Sequence, residues 1–268
     1  MMTALLAAAI ATAPPSVGAV SQPPREDATP AMFVVRDADT TVYIFGTFHA
    51  LDGKADWLND SVRTAFENSG ELVLETVIPE GPVQVKPAFR PQPLSVTPSA
   101  SFLATTRMAI NAGRSQGMQV GNGADNVLRH MAEAQGKPVQ GLETLELQLN
   151  MFNRMPAATA ASAPKAGQPV EDRNPMQDLS RAMSDMQSAW KHGDQSVFVR
   201  LLGQLEQSSP DTYRMMFTER NARWADWIAG RMQTPGTVFV AVGAGHLAGK
   251  DSVLVRLAQL GIPSTRLN

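Results

Sequence analysis

Apolar and polar positions along this chain repeat with two different periods. Short unbroken apolar runs, Val42-Tyr43-Ile44-Phe45, Leu72-Val73-Leu74 and Val238-Phe239-Val240-Ala241-Val242, are bounded by turn formers and read as buried strands. Met32–Arg36 and Thr41–Phe45 flank Asp37-Ala38-Asp39, a pattern that predicts a β-hairpin. Pro138–Leu142 and Pro263–Leu267 read as two further short strands. Elsewhere apolar residues recur in steps of three and four, the mark of one helical face. Such faces run through Leu58, Val62, Ala65 and Phe66, through Val127, Leu128, Met131 and Ala132, and through Leu145, Leu149 and Phe152. Further helices are predicted over 101–118, 176–191, 195–207 and 211–232, and a last one carries Val253, Leu254, Leu257 and Leu260. Asp125 and Asp251 stand where the caps of two of these helices are expected. Strands alternate with helices at both ends, with a helical insertion between. The pattern predicts an α/β fold with a mixed central sheet flanked by helices.

Residues 1–31 are read as a leader and an irregular lead-in, and 32–268 as a single domain. Met1 to Ala11 resembles the apolar core of a secretory signal, and Val17-Gly18-Ala19 supplies small residues for cleavage, although no Lys or Arg precedes the run. A periplasmic or secreted protein is the expectation. The leader is too short to span a bilayer, and no later stretch reads as an integral membrane segment. Pro79 to Pro98 holds six prolines and is expected to be a long loop covering the site. Pro156 to Pro175, rich in Ala and Pro, reads as a linker.

The charge balance of 23 Lys and Arg against 25 Asp and Glu leaves no basic footprint for nucleic acid. Cysteine is absent. Disulfides, thiolate metal sites and a cysteine nucleophile are therefore excluded, and any metal must be held by His, Asp and Glu.

Chemistry gathers where strands end. Gly46-Thr47-Phe48-His49 follows one apolar run and Gly243-Ala244-Gly245-His246 another, so two of the four histidines occupy the same position after a strand. Glycine permits a sharp exit, and the next polar side chains stand at the carboxyl edge of the sheet. The two motifs are expected to share a site. Glu75 interrupts an otherwise buried strand, which requires a partner: a metal, a proton or an arginine. Glu143 ends the third strand or opens the next helix, where the helix dipole favours an acid. Arg220 falls on the apolar face formed by Tyr213, Phe217, Trp224, Trp227 and Ile228, with Asn221 at its edge. A charge there either meets a buried carboxylate such as Glu75 or Glu143, binds a substrate anion, or keeps its head in water. His130 lies on the polar side of its helix and His192 in a turn, and neither is assigned a role.

In this order the motifs resemble the TraB/GumN family, which includes the Tiki-type metalloproteases. The resemblance rests on Tyr43–His49, Leu72–Glu75, Gly136-Lys137-Pro138-Val139, Leu142-Glu143-Thr144 and Gln148. It continues through Ala189-Trp190, Gly193-Asp194, Glu219-Arg220-Asn221 and Val240–Gly249, and covers about Phe33 to Leu267. It implies an α/β fold distantly similar to erythromycin-esterase-like proteins and, for Tiki-type relatives, a peptidase that needs a divalent ion. Carried over by position, it puts His49, Glu75 and His246 at the centre, with Glu143, Arg220 and Asn221 in support. The two Pro-rich segments match none of its motifs.

These readings lead to an expected metal-dependent hydrolase of a peptide or small molecule. His49 and His246 would hold Mn, Co or Zn, one of Glu75 and Glu143 would be the oxygen ligand, and the other the general base. A metal-free form would use His49 with Glu75 for proton transfer. The rival from another class is an exported protein that sequesters a peptide in the same crevice without cutting it.

Overall fold

Alternation along the strands decides which side of the sheet each residue serves. The computed structural model describes residues 25–77, 100–154 and 175–268. The expected leader, the whole of the first Pro-rich loop and nearly all of the Ala/Pro linker lie outside these. A two-residue strand β1 (Glu26–Asp27) pairs in parallel with β4 (Ala55–Asp56). The hairpin forms as predicted from β2 (Met32–Arg36) and β3 (Thr40–Thr47). Asp37 Oδ1 accepts the Asp39 and Thr40 amides at its turn. Then follow α1 (Asp60–Glu67), β5 (Glu71–Thr76), α2 (Ala100–Ser115), α3 (Ala124–Ala134), β6 (Val139–Glu143) and α4 (Leu145–Arg154). The remainder comprises α5 (Pro175–Lys191), α6 (Ser196–Ser208), α7 (Pro210–Tyr213), α8 (Glu219–Arg231), β7 (Gly236–Gly243), α9 (Val253–Gln259) and β8 (Thr265–Arg266).

The main sheet has the order β6-β5-β7-β3-β2-β8. Its first four strands are parallel, and β2 and β8 run against them, so the sheet is mixed as expected. Tyr43, Phe45, Leu72, Leu74 and Phe239 face one layer, made by α1, α3, α5 and α6. Val42, Ile44, Val73, Val240 and Val242 face the other, made by α8 and α9. Burying each of these side chains on both layers contributes roughly 1.5–3 kcal/mol. No helix among the described residues is long and apolar enough to cross a membrane.

Three local expectations differ from what is seen. The helix expected over 211–232 is interrupted: a five-residue π turn, Arg214–Thr218, separates α7 from α8. Asp125 is not a cap, because Gly123 precedes α3 and Asp125 lies in its first turn. Nor is Asp251, since Ser252 caps α9 by accepting the Val255 amide. In both cases an acid beside a helix start was given a local role, while its carboxylate points at a residue distant in sequence.

Candidate active site

Because β3, β5, β6 and β7 are parallel, their carboxyl ends lie on one edge, and the chemistry-bearing residues follow from there. The register pairs Thr47 with Gly243 and Thr76 with Glu143. Both Gly-x-x-His segments therefore leave the sheet at the same height and touch: a methyl on Gly46 would lie 3.3 Å from Ala244 Cα. Trp190 from α5 secures the first exit, its indole N–H donating to the Gly46 carbonyl at 2.7 Å. The second continues as a short 3-10 turn, Ala244–Leu247, that carries His246. Glu75 follows Val73 by two positions on β5 and so shares its side of the sheet, the side covered by α8, from which Arg220 reaches back.

The decisive convergence is over Gly243. A methyl there would lie 3.0 Å from Glu75 Oε1, 3.7 Å from His49 Nε2 and 3.7 Å from His246 Cδ2. His49, Glu75 and His246 thus meet although they lie on three strand ends far apart in sequence. Glu143, Arg220 and Asn221 join them. Arg220 Nε donates to both Glu143 oxygens at 3.1 and 2.9 Å, and Nη2 donates to Glu75 Oε2 at 2.9 Å. Its Nη1 contacts the Met216 carbonyl at 3.4 Å and His246 Nε2 at 3.3 Å. Arg223 adds a third bond to Glu143, at 3.1 Å. Of the three alternatives for Arg220, a snorkelling head is overturned: its side chain is 3% exposed and held by two carboxylates. Glu143 belongs to the strand, since β6 ends on it.

Charge states follow from these contacts. Burial alone would push the Glu75 carboxyl up, but the Arg220 guanidinium, the charged His49 ring and the Gly243 amide outweigh it and hold it below the usual carboxylate range. Burial pushes His246 down to about 3; Arg220 adds to the depression, and Glu75 opposes it. His246 is therefore neutral. His49 is raised to about 9, chiefly by its hydrogen bond to Asp125, against the cost of desolvation and with help from the Asp125 and Glu75 charges.

Asp125 is the site residue missed in the sequence. Its Oδ2 lies 3.2 Å from His49 Nδ1. The pair forms because the start of α3 docks on the His49 loop: the Ala124 amide donates to the Phe48 carbonyl at 3.0 Å. Gly123 comes so close that a methyl would stand 2.2 Å from the His49 carbonyl oxygen. A Gly two residues before an Asp at a helix start was the available signal. His130 and His192 are exposed, as expected, with local contacts to Glu133 and to the Ser188 carbonyl.

A divalent ion on His49, Glu75 and His246 would need bare lone pairs aimed at one centre. Instead His246 Nε2 faces Arg220, Glu75 Oε2 accepts from Arg220, and Glu75 Oε1 accepts the Gly243 amide at 2.7 Å. Among the described residues no group of three His, Cys, Asp or Glu is arranged to hold an ion. The residues do not fit the ion in this arrangement. A guanidinium supplies the positive charge the carboxylates require.

A model of the TraB/PrgY/gumN family matches residues 31–92 and 84–266. The chain belongs to the TraB/PrgY/gumN family. That match takes in the whole candidate site, from His49 through Glu75, Asp125 and Glu143 to Arg220, Asn221 and His246. No curated protein matches the chain. No solved structure does so either.

Proposed function

We propose that this TraB/PrgY/gumN chain is a hydrolase in which His49 carries the proton. The observation that bears the reading is the Asp125–His49 pair with His49 Nε2 beside Glu75 over Gly243. Asp125 accepts the hydrogen bond of Nδ1–H, and in the neutral ring, which prevails as pH rises through about 9, Nε2 is the base. The His49 side chain is 62% exposed, so water and a substrate can reach it. Water loses a proton to Nε2 while its oxygen adds to a carbonyl carbon. As the C–O or C–N bond breaks, the proton passes from Nε2 to the leaving group. The Asp125 and Glu75 side chains stabilise the imidazolium formed in between. The substrate is an ester or amide, and a peptide bond is the member of that class expected from the family resemblance.

The test is a screen of ester and peptide substrates in the presence of EDTA, wild type beside His49→Gln and Asp125→Asn, with metal content measured on protein purified without chelator. Chelator-resistant turnover that falls about 10²–10⁴-fold in His49→Gln supports the reading. About one divalent ion per chain, with activity that EDTA abolishes, would instead restore the expected metallopeptidase. Peptide bound and recovered intact would point to sequestration.

A further inference from the structure

His246 occupies the same place after its strand as His49, yet its surroundings are of another kind. Its ring is packed between Phe217 and Trp224, with centroids at 4.8 and 4.4 Å, and only 7% of the side chain is exposed. A buried ring enclosed by two aromatics has no path by which to exchange a proton with substrate.

The hydrogen bonds fix its tautomer. Asn221 Nδ2 donates to the Asp251 carbonyl at 2.8 Å, which orients the amide and turns Oδ1 toward the ring. Oδ1 lies 2.6 Å from His246 Nδ1, so Nδ1 carries the proton and donates it there. Nε2 is then a bare acceptor, and Arg220 Nη1, which can only donate, faces it at 3.3 Å. Arg220 and Asn221 are consecutive on α8, so one imidazole spans two neighbouring side chains, accepting from one and donating to the other. The π turn completes the clasp by presenting the Met216 carbonyl to the same Nη1.

We propose that His246 is a positioning residue: a tautomer-locked link between Asn221 and Arg220 that holds the guanidinium across Glu75 and Glu143. It acts on the proton-transfer step only through Arg220 and Glu75. The inference rests on the hydrolase reading for its kinetic consequence, but the tautomer and the hold on Arg220 do not depend on it.

Glutamine can reproduce both contacts, since its Oε1 accepts from Arg220 while its Nε2 donates to Asn221, and it cannot titrate. Leucine fills the space and makes neither bond. The experiment compares wild type, His246→Gln and His246→Leu, all checked for folding by thermal melting. Ring ¹⁵N spectra of the wild type at neutral pH should show the proton on Nδ1 and Nε2 unprotonated. The Arg220 side-chain NMR signals should show restricted rotation in wild type and His246→Gln, and free rotation in His246→Leu. With a hydrolysed substrate in hand, His246→Gln should keep kcat within about threefold and leave the pH profile in place. His246→Leu should lose about 10²-fold in kcat with KM little changed, the scale set by a misplaced catalytic constellation. A proton on Nε2 overturns the proposal, as does a folded His246→Gln as inactive as His246→Leu. If no substrate is hydrolysed at all, the two spectroscopic results still decide it, so failure of the hydrolase reading is told apart from failure of this one.

Discussion

Replacing Arg220 with methionine isolates the interaction on which the site is built. Methionine keeps most of the stem's packing against Trp224, over whose ring the guanidinium carbon sits at 4.6 Å, and removes the charge. Glu143, its side chain 2% exposed, would keep only the half-exposed Arg223. Glu75 would keep the Gly243 amide and the His49 charge. Removing one partner of a buried ion pair typically costs about 3–5 kcal/mol, because the other charge is left uncompensated. Total stabilities of domains are about 5–15 kcal/mol, so the loss is a large fraction of the whole. Equilibrium urea denaturation at neutral pH should show a lower midpoint with an unchanged slope. Adding Glu143→Gln to Arg220→Met should return part of the loss, since the stranded charge is then gone. A coupling of at least about 1.5 kcal/mol is expected from the full double-mutant cycle. A loss below about 1 kcal/mol for Arg220→Met, the scale of an exposed pair, would refute the reasoning, for it would mean that the carboxylates are hydrated without Arg220.

His49 should titrate by NMR well above its ordinary 6.5, toward about 9, and Asp125→Asn should bring the midpoint back down. Its pair with Asp125 stabilises the fold below the unfolded value and loses that contribution as pH rises through the folded one. If His49 is the base, kcat/KM must rise with pH through that same midpoint; a profile that falls there contradicts the assigned role. In acid, Glu75 and His246 act together. Glu75's contribution is present above 4.5 and is lost as pH falls toward about 2. His246, neutral when buried, gains a proton more readily in the unfolded chain and costs stability from 6.5 down to about 3. Thermal melting in acid should therefore weaken earlier in wild type than in His246→Gln. Gly123→Ala should destabilise by about 1–3 kcal/mol through the clash with the His49 carbonyl, and a variant as stable as wild type would show that α3 does not dock there.

Much of this site was legible because strand ends announce themselves. A glycine after a long apolar run, followed at a fixed interval by histidine, marks both loops, and a glutamate inside a buried strand needs a partner. Arg220 was legible for the same reason, as a charge in an apolar stripe. What stayed hidden was the third dimension of ordinary-looking acids. Asp125 and Asp251 each sit beside a helix start, where a local capping role is the simplest account, and nothing in the spacing shows that one faces His49 across some 75 residues while the other accepts from Tyr213. The metal expectation has a similar origin. Two histidines and a glutamate are a plausible ligand set by residue type, but the sequence does not reveal that Arg220 would reach the same centre first.

The interruption between α7 and α8 supplies a contact. A π turn holds one residue more than the α-helical turn it replaces, so the helices on either side keep their phase. Removing a single residue from Arg214–Thr218 would let α7 run into α8 as one regular helix. In such a helix the Met216 carbonyl would bond a backbone amide one turn on and be drawn away from the Arg220 guanidinium, which it now meets at 3.4 Å. The composition of the site would be unchanged, and its arginine would lose one of the groups that orient it. In this chain one extra residue between two helices supplies a contact to its only buried arginine among the described residues.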